Sequence, residues 1–216
     1  MTYISDIISM ISDMSGARSE YEVFSDWVHC SAIAIQNASC ILHDKVWHDR
    51  EKDYLQIMSK YEKDHFHNMF AYLCLELEDN IHDALGEIYM QGEMGAKSTG
   101  QFFTPFHLSE LTASTAFNPK TYNGEVIRLN EPSIGGGGMV LAVAKKMKDA
   151  GINYQKKLRV VGQDLDWKGV YMSYVQISLL GIDGIIAQGD TLCDPYRTGY
   201  PKERIYRTPR NMGALL

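Results

Sequence analysis

The 216-residue chain is 45% hydrophobic and 22% charged, with a net charge of −6. These are the proportions of an ordinary soluble globular protein, with room for one domain or a domain with a sizeable appendage. The acidic balance argues against a surface made mainly for phosphates, although a local basic patch is compatible with it.

The first 90 residues contain no proline and read as helical throughout. Ile4, Ile7, Ile8 and Ile11 fall at i, i+3, i+4 and i+7, which is one amphipathic face. Ser15-Gly16-Ala17 breaks the pattern. A second helix is expected from about Glu20 to Gln36, with Tyr21, Phe24, Trp27 and Val28 on one face, and a third from Lys45 to the region of Tyr61. A fourth is expected over 64–89, carrying Met69, Leu73, Leu77, Ile81, Leu85 and Ile88. The aromatic residues recur at burying intervals and read as core rather than as base-stacking platforms. The leader is therefore a helical bundle or cap packed against the rest of the chain.

A glycine-punctuated connector, Gln91 to Gly100, leads into Gln101-Phe102-Phe103-Thr104-Pro105. Phe102 and Phe103 cannot both face the same way in an extended segment, so one ring is free for a ligand or for the helical cap. The bland reading is an aromatic plug beneath a helix start. Pro105 suits the opening of a helix from Phe106 to Phe117, and a turn-rich link, Asn118 to Gly124, comes next.

The extended run Glu125 to Leu129, the turn Glu131-Pro132-Ser133-Ile134-Gly135-Gly136-Gly137-Gly138 and the apolar run from Val140 read as strand, glycine turn and helix. Such a turn brings main chain close to a ligand and aims helix amides at polar groups. A second strand, Leu158 to Gly162, ends in Gln163-Asp164, and a third, Ile185 to Ala187, ends in Gln188-Gly189-Asp190. A helix from Lys168 to Leu180 lies between them. Alternating strands and helices predict an α/β fold with a partial Rossmann-like sheet of about three parallel strands. Ligands of such sheets sit beyond the carboxyl ends of the strands, where Glu131, Asp164 and Asp190 stand in register.

The segment Asp83-Ala84-Leu85-Gly86-Glu87-Ile88-Tyr89, the motif Gly100-Gln101-Phe102-Phe103-Thr104-Pro105 and the turn Glu131 to Met139 together resemble the adenine-N6 DNA methyltransferases. The likeness is to the modification subunit of type I restriction systems and its small relatives on phages and mobile elements. It covers about Asp83 to Leu192. The resemblance implies S-adenosylmethionine as cofactor. Phe103, Thr104 and Pro105 would line its methionine end, and Glu131, Pro132, Gly135 and Gly137 would form the turn beneath it. Asp164 would hold the ribose hydroxyls and Asp190 the adenine amino group.

Ile134 stands where the family often has cysteine, and Gly136 where it often has serine. The larger departure is the Asn/Asp-Pro-Pro-aromatic loop that grips a flipped-out adenine in these enzymes. Asp194-Pro195-Tyr196 is the nearest match, one proline short and only four residues after Asp190. These three are weak catalytic candidates. The family also continues into four further strands, whereas 26 residues follow Asp190 here. Half a sheet leaves the first strand with an unpaired edge, expected to be covered by the tail around Arg204-Ile205-Tyr206-Arg207 or by a second copy.

The organisation expected is a helical region over 1–95, a cofactor-binding core over 96–192 and a basic tail over 193–216. That tail, with Arg197, Lys202, Arg204, Arg207 and Arg210 against Glu203, is either a solvated end or a phosphate contact for nucleic acid. Two functions are consistent with these features. One is adenine methylation in DNA, with a partner supplying the missing loop or target recognition. The other is a catalytically silent relative, a regulator or antirestriction factor that binds the cofactor or a modification subunit. The four cysteines show no metal spacing, and no metal site is expected. With neither a signal peptide nor a membrane span in the sequence, a reduced, cytoplasmic protein is expected.

Overall fold

The computed structural model describes residues 3–61, 65–92, 94 and 103–213. Within these residues the leader forms helices α1 (Ile4–Ser15), α2 (Glu20–Ser39), α3 (Lys45–Met58), α4 (Phe66–Asp79) and α5 (Ala84–Gln91). The isoleucine stripe of α1 is buried at Ile4, Ile7 and Ile11. A reciprocal capping box starts α2: Ser19 Oγ accepts from Glu22 N, and the Glu22 carboxylate accepts from Ser19 N. Asp44 caps α3 by accepting from Trp47 N. Phe24, Trp27 and Tyr89 are fully buried, so the leader's aromatics are core, as their spacing predicts.

The single helix expected over 64–89 is instead two. Asn80 is extended at φ −148°, and Asp83 accepts from Gly86 N to begin α5. Met69, Leu73 and Leu77 on α4 and Leu85 and Ile88 on α5 are all buried. The apolar rhythm thus runs on through the break, which hides it from periodicity.

The second half comprises α6 (Phe106–Ala116), a 3₁₀ turn (Pro119–Thr121), β1 (Ile127–Glu131), α7 (Gly138–Asp149), a short α8 (Tyr154–Lys157), β2 (Leu158–Asp164), α9 (Trp167–Leu179), β3 (Asp183–Gln188), a second 3₁₀ turn (Lys202–Arg204) and β4 (Ile205–Arg207). The sheet order is β1-β2-β3-β4, with the first three strands parallel and β4 antiparallel to β3. The three parallel strands and their helices are those expected. The strand β4 and the short α8 are additions.

One row of the sheet, Glu131, Gly162, Ile186 and Tyr206, and the next, Leu129, Val160 and Gly184, face the layer of α7 and α9. Helix α2 packs on α9, so the leader and the sheet share one hydrophobic core. The opposite face presents Arg128, Asn130 and Arg159 to solvent. An alternating, half-solvated face is unusual for a parallel sheet, which is ordinarily covered on both sides.

Among the described residues, the tail does not pair with β1. It takes the other edge: Ile185 pairs with Arg207 and Ile186 with Tyr206. Tyr206 is buried against Tyr171 and Tyr174 of α9, and Arg50 of α3 lies 4.0 Å over its ring while donating to Ile205 O at 2.8 Å. The Arg207 amide donates to Gln36 Oε1 of α2. This part of the tail is therefore a packed strand rather than a solvated end, because Tyr206 finds an aromatic wall that no local pattern announces. Among the described residues, no strand pairs with the free edge of β1.

Candidate functional site

The site grows from the end of β1. After Glu131 the chain turns through Pro132 and Ser133, and Ile134 drops inward, its amide donating to Gln163 O of β2 at 2.9 Å. Gly135 (φ +51°) and Gly137 (φ +95°) then take left-handed conformations that glycine adopts without penalty, and α7 begins at Gly138. A side chain at Gly135 would sit 3.4 Å from the Phe103 ring, and one at Gly136 would sit 3.1 Å from the Asp83 carboxylate. The glycines are needed for close approach on both sides.

Asp164, at the end of β2, latches the turn. Its Oδ2 accepts from Gly135 N at 2.7 Å, and its Oδ1 accepts from Asp166 N at 2.9 Å. The loop after β3 closes back onto the first loop, where Thr191 Oγ1 donates to Pro132 O at 2.6 Å. Asp190 holds that loop by accepting from Leu192 N and Cys193 N, and these bonds hold its carboxyl below the usual range. Glu131 is displaced in the opposite sense: partial burial raises it, only weakly offset by the Ser133 amide.

A cleft of about 510 Å³ opens beside this turn, within the size range of small-molecule sites. Of the residues predicted from sequence, Phe103, Thr104, Glu131, Gly135 and Asp164 line it together. Pro105 lines an adjoining hollow with Phe103 and Thr104. Gly137 is buried beneath the turn against Ser173 of α9, where it serves packing. Pro132 and Asp190 stand at the neighbouring loops and do not line the cleft. Phe102 lies outside the described residues; Phe103 is buried with its ring 5.1 Å from Tyr89, edge to face.

Asp194, Pro195 and Tyr196 do not line this cleft either. The Asp194 carboxylate pairs with Arg197, and Tyr196 packs on Tyr200 at the wall of a second hollow, of about 670 Å³, between the α2–α3 link and the tail. That larger hollow shares no lining residue with the cleft, yet its loop is tied to the strand that anchors the glycine turn: Gln163 Nε2 donates to Asp194 O at 2.9 Å, and Gln163 Oε1 accepts from Tyr196 N at 2.8 Å. Its cations are largely engaged, with Arg50 on Ile205 O, Arg197 on Asp194 and Arg207 on Asn211.

Asp83 and Ser109 are buried in the floor of the cleft; the Asp83 segment carries part of the family resemblance without marking Asp83 itself for the site, and Ser109 looks like an ordinary helix residue in sequence. Leu165, 68% exposed, directly follows Asp164, and Leu192, 94% exposed, follows Asp190 by two residues. Neither lines the cleft itself; apolar side chains within two residues of strand-end acids are the signal that could have found these two. Thr112, Ala113 and Ala116 of α6 complete the wall opposite Leu129 and Asn130.

A family model described as N-6 DNA Methylase matches residues 80–206. The chain belongs to the N-6 DNA methylase family. The matched stretch begins at Asn80, just before the Asp83 cap, and ends at Tyr206, so the floor of the cleft and all but the last residue of the added strand β4 fall inside the N-6 DNA methylase region. No curated protein matches the chain.

Among solved structures, a putative class I S-adenosylmethionine-dependent methyltransferase from Listeria monocytogenes is similar over 88% of this chain and 54% of its own, with 13% identity and a TM-score of 0.51. A type I restriction-modification system methyltransferase subunit from Streptococcus thermophilus is similar over 92% of this chain and 41% of its own, with 16% identity and a TM-score of 0.45. The Listeria likeness is one of fold, and this N-6 DNA methylase chain spans about half the length of that protein. Among the described residues, no helix is long and apolar enough to cross a membrane.

Proposed function

We propose that the cleft beside the glycine turn binds S-adenosylmethionine, and that the chain is the cofactor-binding half of an adenine-N6 DNA methyltransferase. The observation that carries this is the convergence of Phe103, Thr104, Glu131, Gly135 and Asp164 on one cleft at the carboxyl ends of parallel strands. Glu131 and Asp164 supply acceptors for hydroxyl groups, and the bare Leu165 and Leu192 offer apolar surface at the strand ends suited to the faces of a purine.

The group that grips the acceptor base comes, in this reading, from a strand outside these 216 residues. Helix α6 buries only Ser109 and Ala113 and packs on α7, and its Thr112, Ala113 and Ala116 share the lining of the cleft with Leu129 and Asn130 of β1, whose outer edge no strand among the described residues pairs with. Leu108 and Leu111 on α6 are exposed. A strand laid parallel to β1 would be roofed by α6, and its following loop would end over the cleft, as the loops after β1 and β2 do. Association with another methyltransferase segment or restriction-modification subunit, and contact with DNA through it or through the basic tail, accord with the same geometry.

The second reading, a cofactor-binding relative without catalysis that regulates a modification subunit, is favoured by one observation. The nearest match to an acceptor motif, Asp194 to Tyr196, does not line the cleft, and its carboxylate is tied to Arg197.

Calorimetric titration with S-adenosylmethionine, followed by transfer of labelled methyl to unmethylated DNA, tests both. Binding without transfer by the pure chain is expected. Transfer to adenine by the pure chain would overturn the need for an outside strand, and absence of binding at millimolar donor would overturn the cofactor assignment itself.

A further inference from the structure

A hollow of about 430 Å³ opens where the start of α2, Lys60 beyond the end of α3 and the first turn of α9 meet, and it shares no lining residue with the cleft. The most enclosed charge in its wall is Lys168, whose side chain is 5% exposed. Its ammonium sits 4.8 Å and 4.5 Å from the ring centroids of Tyr21 and Tyr89. Of its three donors, one reaches an acceptor among the described residues, the Tyr89 hydroxyl at 3.2 Å. The Asp166 carboxylate, at 3.7 Å, lies beyond hydrogen-bond reach. The ring faces offset part of the desolvation of this ammonium, but a buried charge short of acceptors remains costly.

The acids around the hollow are already engaged. Glu22 accepts from Ser19 N at 2.9 Å and from Ser19 Oγ at 3.0 Å. Asp26 accepts from Lys60 Nζ at 3.0 Å and from the Tyr61 hydroxyl at 2.9 Å. Asp166 accepts from Lys168 N to cap α9. Arg18 lies 5.0 Å over the Tyr61 ring and pairs with no carboxylate among the described residues. Ser25 Oγ, enclosed in the same wall, also lacks a partner among them. Lys168 and Arg18 are therefore the charges left over, and what they lack is an acceptor. Flat rings complete the wall: His29 stacks on Tyr171 at 4.2 Å, and Tyr171 on Trp167 at 5.4 Å. Burial, only partly opposed by Asp53 and Asp26, holds His29 below its usual value, so its ring is uncharged at neutral pH.

An inorganic anion in this hollow would leave the rings unused, and a neutral aromatic molecule would leave the ammonium short of acceptors. A doubly charged phosphate would be repelled by Glu22 and Asp26. We propose that the hollow binds a small aromatic carboxylate, its ring against Tyr21 and Trp167 and its carboxylate on Lys168 and Arg18. This is a second ligand site, and it stands or falls independently of the methyl-donor reading of the cleft.

The test is calorimetry on the full chain with indole-3-acetate and indole-3-acetamide, which match in ring and shape but differ in charge. The native chain is expected to bind the carboxylate at least about tenfold more tightly, the scale of one charge-assisted hydrogen bond. Lys168→Met keeps the length of the side chain and removes its charge. It is expected to cost the carboxylate roughly tenfold in affinity while leaving the amide as before. Arg18→Gln is expected to weaken the carboxylate alone by about two- to fivefold, the scale of a partly solvated ion pair.

Equal affinity of the native chain for both probes, or binding of neither at millimolar concentration, would overturn the proposal. So would binding of plain acetate as tightly as indole-3-acetate, which would mark a general anion contact. A carboxylate affinity unchanged in both variants would place the ligand elsewhere and overturn it too. Urea unfolding shows whether Lys168→Met folds; if it does not, Arg18→Gln decides alone.

Discussion

The contact between Gly162 and Ile134 offers a direct test of how the turn is held on the sheet. A Cβ on Gly162 would lie 2.3 Å from Ile134 Cδ1 and 3.1 Å from Ile186 Cδ1. Carbon atoms pack best at about 3.5–4.0 Å, so Gly162→Ala forces the Ile134 side chain to move by more than an ångström. Overpacking of that kind costs about 1–3 kcal/mol. Ile134→Val alone costs about 0.5–1.5 kcal/mol through the lost methyl.

The double variant vacates the position that the new methyl needs and leaves contacts of 3.1 Å and 3.3 Å. Its cost should therefore be no larger than that of Gly162→Ala alone, which corresponds to a coupling of about 1 kcal/mol or more. Urea unfolding followed by circular dichroism measures all three variants. Additivity within about 0.5 kcal/mol would refute the claim that Ile134 wedges the glycine turn onto β2. Because Ile134 immediately precedes Gly135, donor affinity is expected to fall in Gly162→Ala and to recover in the double variant.

Three other perturbations probe the same geometry. Asp164→Ala removes a carboxylate that accepts from Gly135 N and Asp166 N; it is expected to cost about 1.5–3 kcal/mol in urea unfolding and to abolish donor binding at micromolar concentrations. Tyr206→Ala empties the aromatic seat of β4 and is expected to cost about 3–5 kcal/mol, with limited proteolysis now cutting between β3 and the end of the chain. Burial raises the Asp83 carboxyl in the folded protein, opposed by the Gln176 and Gly86 hydrogen bonds and by nearby His82. The folded state then binds that proton more tightly than the unfolded state, so the native chain loses stability as pH rises through the interval between the two values. Asp83→Asn lacks this loss, and ligand-free it should gain stability relative to the native chain from acid to neutral pH. A constant difference across that range would refute the assignment.

Much of the architecture could be read from local chemistry. The isoleucine stripe of α1 and the strand-turn-helix around Gly135 each depend on residues within a few positions of one another, and each forms where the pattern places it. The positions of Glu131, Asp164 and Asp190 after successive strands were equally legible, because a strand end is a local event.

What needed the tertiary structure is whatever joins distant residues. The break between α4 and α5 was hidden because the apolar rhythm of Leu77, Ile81, Leu85 and Ile88 continues across it, and only the side chain of Asp83 ends it. Tyr206 reads as part of a basic tail until the aromatic wall of Tyr171 and Tyr174 captures it and places β4 on β3, and among the described residues no strand pairs with the free edge of β1. Asp83, Gly136 and Gln176 span 93 positions of sequence yet meet around one amide. Sequence spacing specifies hydrogen bonds along a helix or strand; which buried acid meets which turn depends on how the layers pack.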